Sequence, residues 1–240
     1  MKIKIATFNI ESGMGLTNSL KHFLFFWRNF LPHSSKPVKK AADFINNENI
    51  DIISFNEIDN GSFRSKNQFE IINKGTNLKE NIFFPTYNVL GIANQGNSIH
   101  SKYPIITHEN YRLPGKGEPR YLGKAVISLD KEKISFFTTH LSLNDYIRKE
   151  QISEIANIMK KEKYPSILSG DFNINDENEL SELNKLNYQK IEARTYPSWK
   201  PERSLDKIFL SNHFKILRSY ASKLLISDHL PLVAEILLEA

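Results

Sequence analysis

Acidic, amide and imidazole side chains recur beside the ends of apolar, strand-like runs of this sequence. The run at 166–170 breaks into Asp171 and Asn173, which would point the same way if the backbone stays extended, with Phe172 turned inward. The other polar positions of this kind are Asn9, Glu57, His140, Asp206, Asp228 and His229. Rigid strands can bring such groups to one edge of a sheet. The pattern therefore predicts one polar site built from distant parts of the chain.

Three of these residues carry oxygen atoms that suit a hard cation. Glu57 and Asp228, helped by the amide oxygen of Asn9, are ligands of the kind that Mg²⁺ prefers, and Mn²⁺ would also fit. Cysteine is absent, which excludes disulfides and thiolate metal sites. Taken singly, Glu57 could equally be a solvated loop charge and Asp228 a helix or turn cap.

The remaining groups suit proton transfer and phosphate binding. His140 and His229 could donate to a phosphate oxygen or steady a leaving group. Asp171 could take a proton from an attacking water, and Asp206 could orient an imidazole. The alternatives are a strand-end histidine with ordinary partners for His140 and a solvated loop charge for Asp206.

Hydrophobic periodicity predicts the elements that would position these groups. The predicted helices lie at 17–31, 37–49, 66–77, 143–164 and 178–186, and Asn144 or Asp145 caps the fourth. The predicted strands lie at 1–7, 50–57, 86–93, 96–101, 121–129, 134–141, 166–170, 205–211, 214–221 and 231–238. We expect one domain over residues 1–240, since no linker-like segment interrupts the chain.

Composition is that of an ordered globular protein, with 40% hydrophobic and 25% charged residues. The net charge of +5 suits a phosphate-bearing partner or simply solubility. The chain starts as a strand, without a leader pattern, and its longest apolar patch is too short to cross a membrane. We therefore expect a cytoplasmic protein, and a monomer.

Seven segments resemble, in order, blocks of the endonuclease/exonuclease/phosphatase superfamily. They are IKIATFNIE, IISFNEID, GNSIHSKYPI, TTHLS, ILSGDFNIN, SLDKIFLS and ISDHLPLVAEI. The resemblance as a whole spans Met1 to Leu237. GDFN and SDHLP are specific when both occur in this order with THL between them, whereas TFN or NE alone is weak. One departure is visible, because Asn56 stands where relatives usually carry Gln before the acidic metal ligand, so the fine geometry there is expected to differ.

The resemblance implies a fold and a reaction. The fold is α/β, a four-layer αββα sandwich of two mixed, mainly antiparallel sheets with helices on the outer faces. The reaction is hydrolysis of phosphate esters with Mg²⁺ or Mn²⁺. By motif, Glu57 resembles the principal metal ligand, and Asn9 and Asp228 resemble its neighbours. Asp171 and Asn173 resemble the pair that activates water and stabilises the transition state. His140 and His229 resemble phosphate binders, and Asp206 resembles the residue that supports His229.

Two loops are candidates for substrate binding. The planar guanidinium of Arg120, in a glycine-flanked loop, suits a bidentate contact to phosphate, or is solvated like most surface arginines. Tyr196, Trp199 and Lys200 could stack on a base or sugar and meet a phosphate, or pack onto the core. The helix at 17–31 is rich in aromatic residues from Phe23 to Phe30. Core packing explains them more readily than contact with lipid or a partner.

Two functions therefore stay open from the sequence. One is a metal-dependent phosphodiesterase or nuclease, with nucleic acid as a possible partner, favoured by the basic charge and the aromatic and basic loops. The other is a phosphomonoesterase acting on a nucleotide, sugar or lipid head group. A binding module without catalysis is disfavoured because every expected catalytic residue is present.

Overall fold

The structure is a computed structural model that describes residues 1–15, 34–89 and 92–239. The helix predicted at 17–31, with its possible membrane contact through Phe23–Phe30, lies outside these residues. Among the described residues, every helix is too short or too polar to cross a lipid bilayer. One domain over residues 1–240 stays a prediction.

Within the described residues, twelve strands form two six-stranded sheets. The first sheet contains β1 (Lys2–Asn9), β2 (Ile52–Asp59), β3 (Glu80–Val89), β4 (Ala93–Ser101), β11 (Phe214–Ala221) and β12 (Leu232–Leu238). The second contains β5 (Ile105–Arg112), β6 (Tyr121–Leu129), β7 (Glu132–His140), β8 (Ser166–Asp171), β9 (Gln189–Glu192) and β10 (Asp206–Leu210). Strand order is β11-β12-β1-β2-β4-β3 in one sheet and β5-β6-β7-β8-β10-β9 in the other.

The direction of the strands decides which side chains can meet. Only β1 with β2 and β7 with β8 pair in parallel, and the other neighbours are antiparallel. The carboxyl ends of these four strands therefore lie beside the amino ends of β10 and β12. Asp206 and His229 precede or begin their strands, yet they reach the same edge as Asn9 and Asp171.

Helices cover the outer faces of both sheets. Helices α1 (Lys36–Glu48) and α2 (Gln68–Gly75) pack on the first sheet, and α3 (Asp145–Met159) and α4 (Ser181–Asn184) pack on the second. A third apolar core, which includes Ile5, Ile99, Phe136 and Ile208, fills the space between the sheets. The predicted four-layer αββα sandwich of two mixed, mainly antiparallel sheets is confirmed.

The helices begin and end where local chemistry favours it. Helix α1 has a proline in its first turn and ends at Asn49, whose φ of 52° places it in the left-handed region. Helix α3 is capped by Asn144, whose side-chain oxygen accepts the Ile147 N–H at 3.1 Å. Asn144, one of the two predicted caps, is therefore the capping residue.

Among the described residues, the sequence prediction was correct for the edge strand β11 but wrong about the other three edge strands. Strand β3 begins at Glu80, not at 86, and β5 and β9 were not predicted. Most side chains of β5 are exposed, so this edge strand has no apolar alternation to detect. Strand β9 has only four residues, too few for a periodic signal.

Candidate active site

Asn9 joins the two sheets at the edge where the strands end. Its Nδ2 donates to Asp171 Oδ2 at 3.0 Å and to Glu57 Oε1 at 3.3 Å. Its Oδ1 accepts the backbone N–H of Glu11 at 3.0 Å. Asn9 thus holds together two carboxylates that belong to different sheets, and its carbonyl retains a second lone pair for another partner.

Glu57 occupies a β-bulge. The pairing of β2 with β4 shifts register between Phe55 and Ile58, and Glu57 has a φ of 56°. A non-glycine residue in this region costs on the order of 1 kcal/mol, and bulges commonly re-aim a side chain next to an active site. The carboxylate reaches Asn9, and burial together with the charge of Asp228 raises the pKa of Glu57 to about 7.

Asp171 is nearly inaccessible, with 1% of its surface exposed. Gly170 precedes it with a φ of 146°, and a Cβ at that position would lie 1.9 Å from the carbonyl oxygen of Thr139. Only glycine lets β8 approach β7 this closely, because any side chain would meet that backbone. The turn-like sequence at 170–173 therefore serves the close pairing that places Asp171 beside His140.

Two histidines flank Asp171. His140 Nε2 and His229 Nε2 each lie 3.6 Å from Asp171 Oδ2. On its other side, the His229 ring contacts Asp206 Oδ2 through Nδ1 at 2.8 Å. Asp206 also accepts a hydrogen bond from Thr195 Oγ1 at 2.5 Å. The histidines thus share one carboxylate. His140 Nδ1 lies 3.8 Å from a second, Glu57 Oε1, whereas His229 is hydrogen-bonded to its second, Asp206.

This difference separates the charge states of the two imidazoles. Burial, together with the positive charge of Arg120, lowers the pKa of His140 to about 3. Burial alone would also lower the pKa of His229, but the carboxylates of Asp206 and Asp171 raise it well above its usual value. At neutral pH the site therefore has a neutral His140 and a protonated His229, with Asp171 between them.

Asn173 does not continue the extended backbone, which was the condition for it to point the same way as Asp171. Its φ is 53°, its N–H donates to Asp171 Oδ1 at 3.0 Å, and its Nδ2 donates to the Leu141 carbonyl at 3.0 Å. The turn allows the backbone to cap the carboxylate, which an extended strand could not do. Phe172 is buried against Phe209, as expected.

Asn56 and Asn97 connect the sheets beneath the site. Asn56 Oδ1 accepts the Asp171 N–H at 2.9 Å, and its Nδ2 donates to the Thr139 carbonyl at 3.1 Å and to Asn97 Oδ1 at 2.9 Å. Asn56, which stands where relatives usually carry Gln, therefore has a structural role, because its shorter side-chain amide forms hydrogen bonds directly with the second sheet. Sequence reasoning missed Asn97, although it lies in the GNSIHS segment of the resemblance.

The predicted substrate-binding residues differ in how they are placed relative to the site. Arg120 shares a narrow cleft with Glu57 and His140 and is held by Glu118 at 3.1 Å. This cleft has a volume of about 10 Å³. A larger cavity, about 720 Å³, lies away from these residues, between α1 and β11.

The loop at 195–203 also reaches the site. The ring centroid of Tyr196 is 4.9 Å from that of His229, and the guanidinium of Arg203, which the sequence analysis missed, lies 5.3 Å from the Tyr196 ring. Trp199 is half-buried in the same loop. Lys200 is exposed and pairs with a neighbouring glutamate, Glu202, at 2.7 Å.

Two groups of side chains are candidates for holding a cation. Asp171, Asp206 and His229 place ligand atoms within 4.8 Å of one another. In that group the positive charge is already supplied by protonated His229, because this histidine is hydrogen-bonded to Asp206 and the pKa of His229 is raised. Around Glu57, burial and the neighbouring charge of Asp228 destabilise the ionised carboxylate. A divalent ion would relieve this repulsion. The second group, which consists of the oxygen ligands of Glu57, Asp228 and Asn9, therefore fits Mg²⁺ or Mn²⁺.

The fold agrees with the comparison to known proteins. The family model described as endonuclease/exonuclease/phosphatase family matches residues 6–229. The chain belongs to this family, which confirms the resemblance drawn from the sequence. No match was found among curated protein sequences.

Solved structures share the fold at low sequence identity. An endonuclease/exonuclease/phosphatase from Beutenbergia cavernae DSM 12333 is 17% identical with a TM-score of 0.82, over 100% of this chain and 72% of that one. Mannosyl-6-phosphatase from Bacteroides thetaiotaomicron VPI-5482 is 16% identical with a TM-score of 0.72, covering 98% and 99%. TDP2 from D. rerio, complexed with single-strand DNA product, is 14% identical with a TM-score of 0.71, covering 98% and 99%.

Proposed function

We propose that the protein is a divalent-metal-dependent hydrolase of phosphate esters, and that its substrate is a phosphodiester. The observation that carries this proposal is the convergence of Asn9, Glu57, His140, Asp171 and His229 through contacts of 3.0–3.8 Å. These residues come from both sheets and from widely separated parts of the chain. Solvated or capping residues, the alternatives for each one singly, would not meet in this way.

Glu57 and Asp228, with the free lone pair of Asn9 Oδ1, would hold the cation. When bound, Mg²⁺ or Mn²⁺ would supply charge stabilisation to the phosphoryl group. We assign the Asp171, Asp206 and His229 group to proton transfer, because its imidazole is already engaged by both carboxylates.

Asp171 is the candidate base for an attacking water. Burial acts to raise the pKa of Asp171, but His229, His140 and the Asn9 and Asn173 hydrogen bonds lower it overall. The carboxylate is therefore ionised at neutral pH and fixed in position. Protonated His229 is suited to donate to a phosphate oxygen as negative charge develops, while neutral His140 can offer one N–H.

The choice of a diester rests on the surroundings of the site. The net charge is +5, Arg120 lies in the cleft, and Tyr196 stands against His229 with Trp199 in the same loop. Aromatic and basic groups of this kind bind nucleic-acid strands by stacking and by phosphate contact. The neighbour solved with single-strand DNA product is in line with this reading.

The second candidate is a phosphomonoesterase acting on a nucleotide, sugar or lipid head group. The structural likeness to a mannosyl-6-phosphatase favours it, and Arg120 beside His140 would suit a terminal phosphate as well as a bridging one. The same catalytic residues serve both reactions, so the substrate distinguishes them.

A substrate panel tests the proposal. Plasmid DNA, single-stranded DNA, RNA, a chromogenic diester and several phosphomonoesters would be assayed with Mg²⁺, with Mn²⁺ and with EDTA. We expect metal-dependent cleavage of a diester, with rates on nucleic acids that fall steeply with added salt. Turnover of monoesters alone would select the second candidate, and undiminished turnover in EDTA would contradict metal dependence.

Two substitutions test the assigned roles. Glu57→Gln should remove metal-dependent turnover by weakening metal binding. Asp171→Asn should lower kcat at least about 10²-fold while leaving metal binding, measured by calorimetry, intact. Glu132→Gln, at the opposite end of β7, is a matched control expected to keep wild-type activity. Full activity in either site variant would refute its assigned role.

A further inference from the structure

Asn97 has an unused hydrogen-bond donor inside the protein. The residue lies in β4 with 2% of its surface exposed. Among the described residues, its Nδ2 has no hydrogen-bond partner, although nearly all buried polar atoms in proteins have one. A buried donor left unpaired destabilises the folded protein, so a ligand that supplies the missing acceptor is a direct explanation.

The orientation of the Asn97 amide is fixed by its neighbour. Asn56 Nδ2 donates to Asn97 Oδ1 at 2.9 Å, and Asn56 Oδ1 is itself taken by the backbone N–H of Asp171 at 2.9 Å. Reversing the Asn97 amide would place two N–H donors against each other. The oxygen of Asn97 must therefore face Asn56, and its two N–H groups must face elsewhere.

The cleft lined by Asn97 contains hydrogen-bond donors as well as two carboxylates. Arg120 and His140 line it together with Asn97, as do Glu57 and Glu118. Glu118 is engaged by the Arg120 guanidinium at 3.1 Å, and Glu57 by the Asn9 amide at 3.3 Å. The cleft volume of about 10 Å³ admits one water-sized group, which is the size of a single phosphate oxygen.

We infer that Asn97 contacts the substrate, donating a hydrogen bond from Nδ2 to a non-bridging oxygen of the bound phosphate. This inference rests on the proposed function and adds a specificity residue to it. Asn97, on β4 of the first sheet, and Arg120, next to β6 of the second, would bind the phosphate from the cleft that they share. Asn56 then has a second role, because it positions Asn97 as well as the backbone of Asp171.

Asn97→Asp provides the sharpest test. Aspartate keeps an oxygen for Asn56 but replaces the two donors by a second, negatively charged oxygen. We expect kcat/KM for the best ester of the panel to fall about 10- to 100-fold, and binding of inorganic phosphate in the presence of Mn²⁺, measured by calorimetry, to weaken by a similar factor. Asn97→Ala, which removes the donors without adding charge, should give a smaller loss in both measurements.

The matched control is Asn94→Asp. Asn94 lies three residues earlier in β4, is half-buried, and donates to the Asn60 carbonyl at 3.4 Å rather than lining the cleft. It carries the same change of charge, so it should keep wild-type turnover and phosphate binding. Urea unfolding of all three variants would accompany the assays.

The outcomes separate this inference from the proposed function. A wild-type protein that binds no phosphate and cleaves no ester overturns both. Wild-type activity combined with an Asn97→Asp variant that matches Asn94→Asp overturns the role of Asn97 alone. Loss of folding in both Asn97 variants would make the residue structural and would also overturn the inference.

Discussion

At the scale of single residues, the charge of His229 depends on Asp206. Asp206 is completely buried, and burial raises the pKa of its carboxyl group. The His229 imidazole, at 2.8 Å, stabilises the ionised carboxylate against this effect. The pair orients the ring so that Nε2 faces Asp171 at 3.6 Å. Removing the carboxylate should change both the orientation and the charge of His229.

Asp206→Asn is the corresponding prediction. Because a raised pKa keeps His229 protonated as pH increases, loss of the carboxylate should make the ring lose its proton at a lower pH. The alkaline limb of the pH–rate profile should shift to lower pH, and kcat at neutral pH should fall about 10²- to 10⁴-fold.

NMR titration of the histidine signals would show the shift of His229 independently of activity. Asp43→Asn, on the exposed side of α1, serves as the control for the lost charge. An unchanged His229 titration in the Asp206 variant would remove the proposed coupling.

At the scale of elements, the pairing of β7 with β8 is the most constrained part of the site. The strands run parallel and match Thr139 with Gly170 and His140 with Asp171. Gly170 combines positive φ with direct backbone contact. Even the smallest side chain at this position would push apart the two strands that carry the base and a histidine.

Gly170→Ala should therefore destabilise the protein by more than about 4 kcal/mol or prevent folding, since strain and steric overlap act together. Gly117→Ala is the control, because Gly117 has a φ of 93° but no atom within 4 Å of an added Cβ. That change should cost only about 1–2 kcal/mol. Urea denaturation measures both, and equal losses would show that φ alone limits position 170.

The strand ends and their polar residues could be predicted from sequence because apolar periodicity is local. Strand β8 and the placement of Asp171 at its end followed from one short run. The hydrogen bonds of Asn56 and Asn97 could not be predicted, since they cross between sheets and leave no periodic trace. The conformation at Asn173 could not be decided from sequence, because the same residues fit an extended or a turned backbone.

At the scale of the whole molecule, a buried histidine outside the site links stability to pH. His100 is fully buried, with Nε2 at 3.0 Å from Ser98 Oγ and Nδ1 at 2.9 Å from Asn73 Oδ1. Burial lowers the pKa of His100 to about 3. Below its usual pKa of 6.5, the unfolded chain therefore binds a proton that the folded chain excludes.

The free energy of unfolding should fall between pH 7 and pH 5, with about 2 kcal/mol of the loss due to His100. His100→Gln should remove that part of the pH dependence, whatever it does to stability at pH 7. His108→Gln, at an exposed position of β5, should keep the wild-type dependence. Chemical denaturation at both pH values measures this, and equal pH dependence in the wild type and His100→Gln would contradict the role of burial.

The arrangement of layers could be predicted only through the family resemblance, because strand order is set by contacts between distant segments. Exposed edge strands such as β5 were missed for the same reason, since their residues are placed by a neighbour's backbone and not by a core. The sequence analysis therefore found the centre of the molecule better than its margins.

The strand order also affects how the protein can be made. Strand β1 remains without one of its two neighbours until β12 has been synthesised, and His229 is translated only just before that strand. A nascent chain on the ribosome thus carries Asp171 and Glu57 long before the imidazole that completes the set. Assembly of the site should therefore wait until the segment that carries His229 and β12 has left the ribosome and paired with β1.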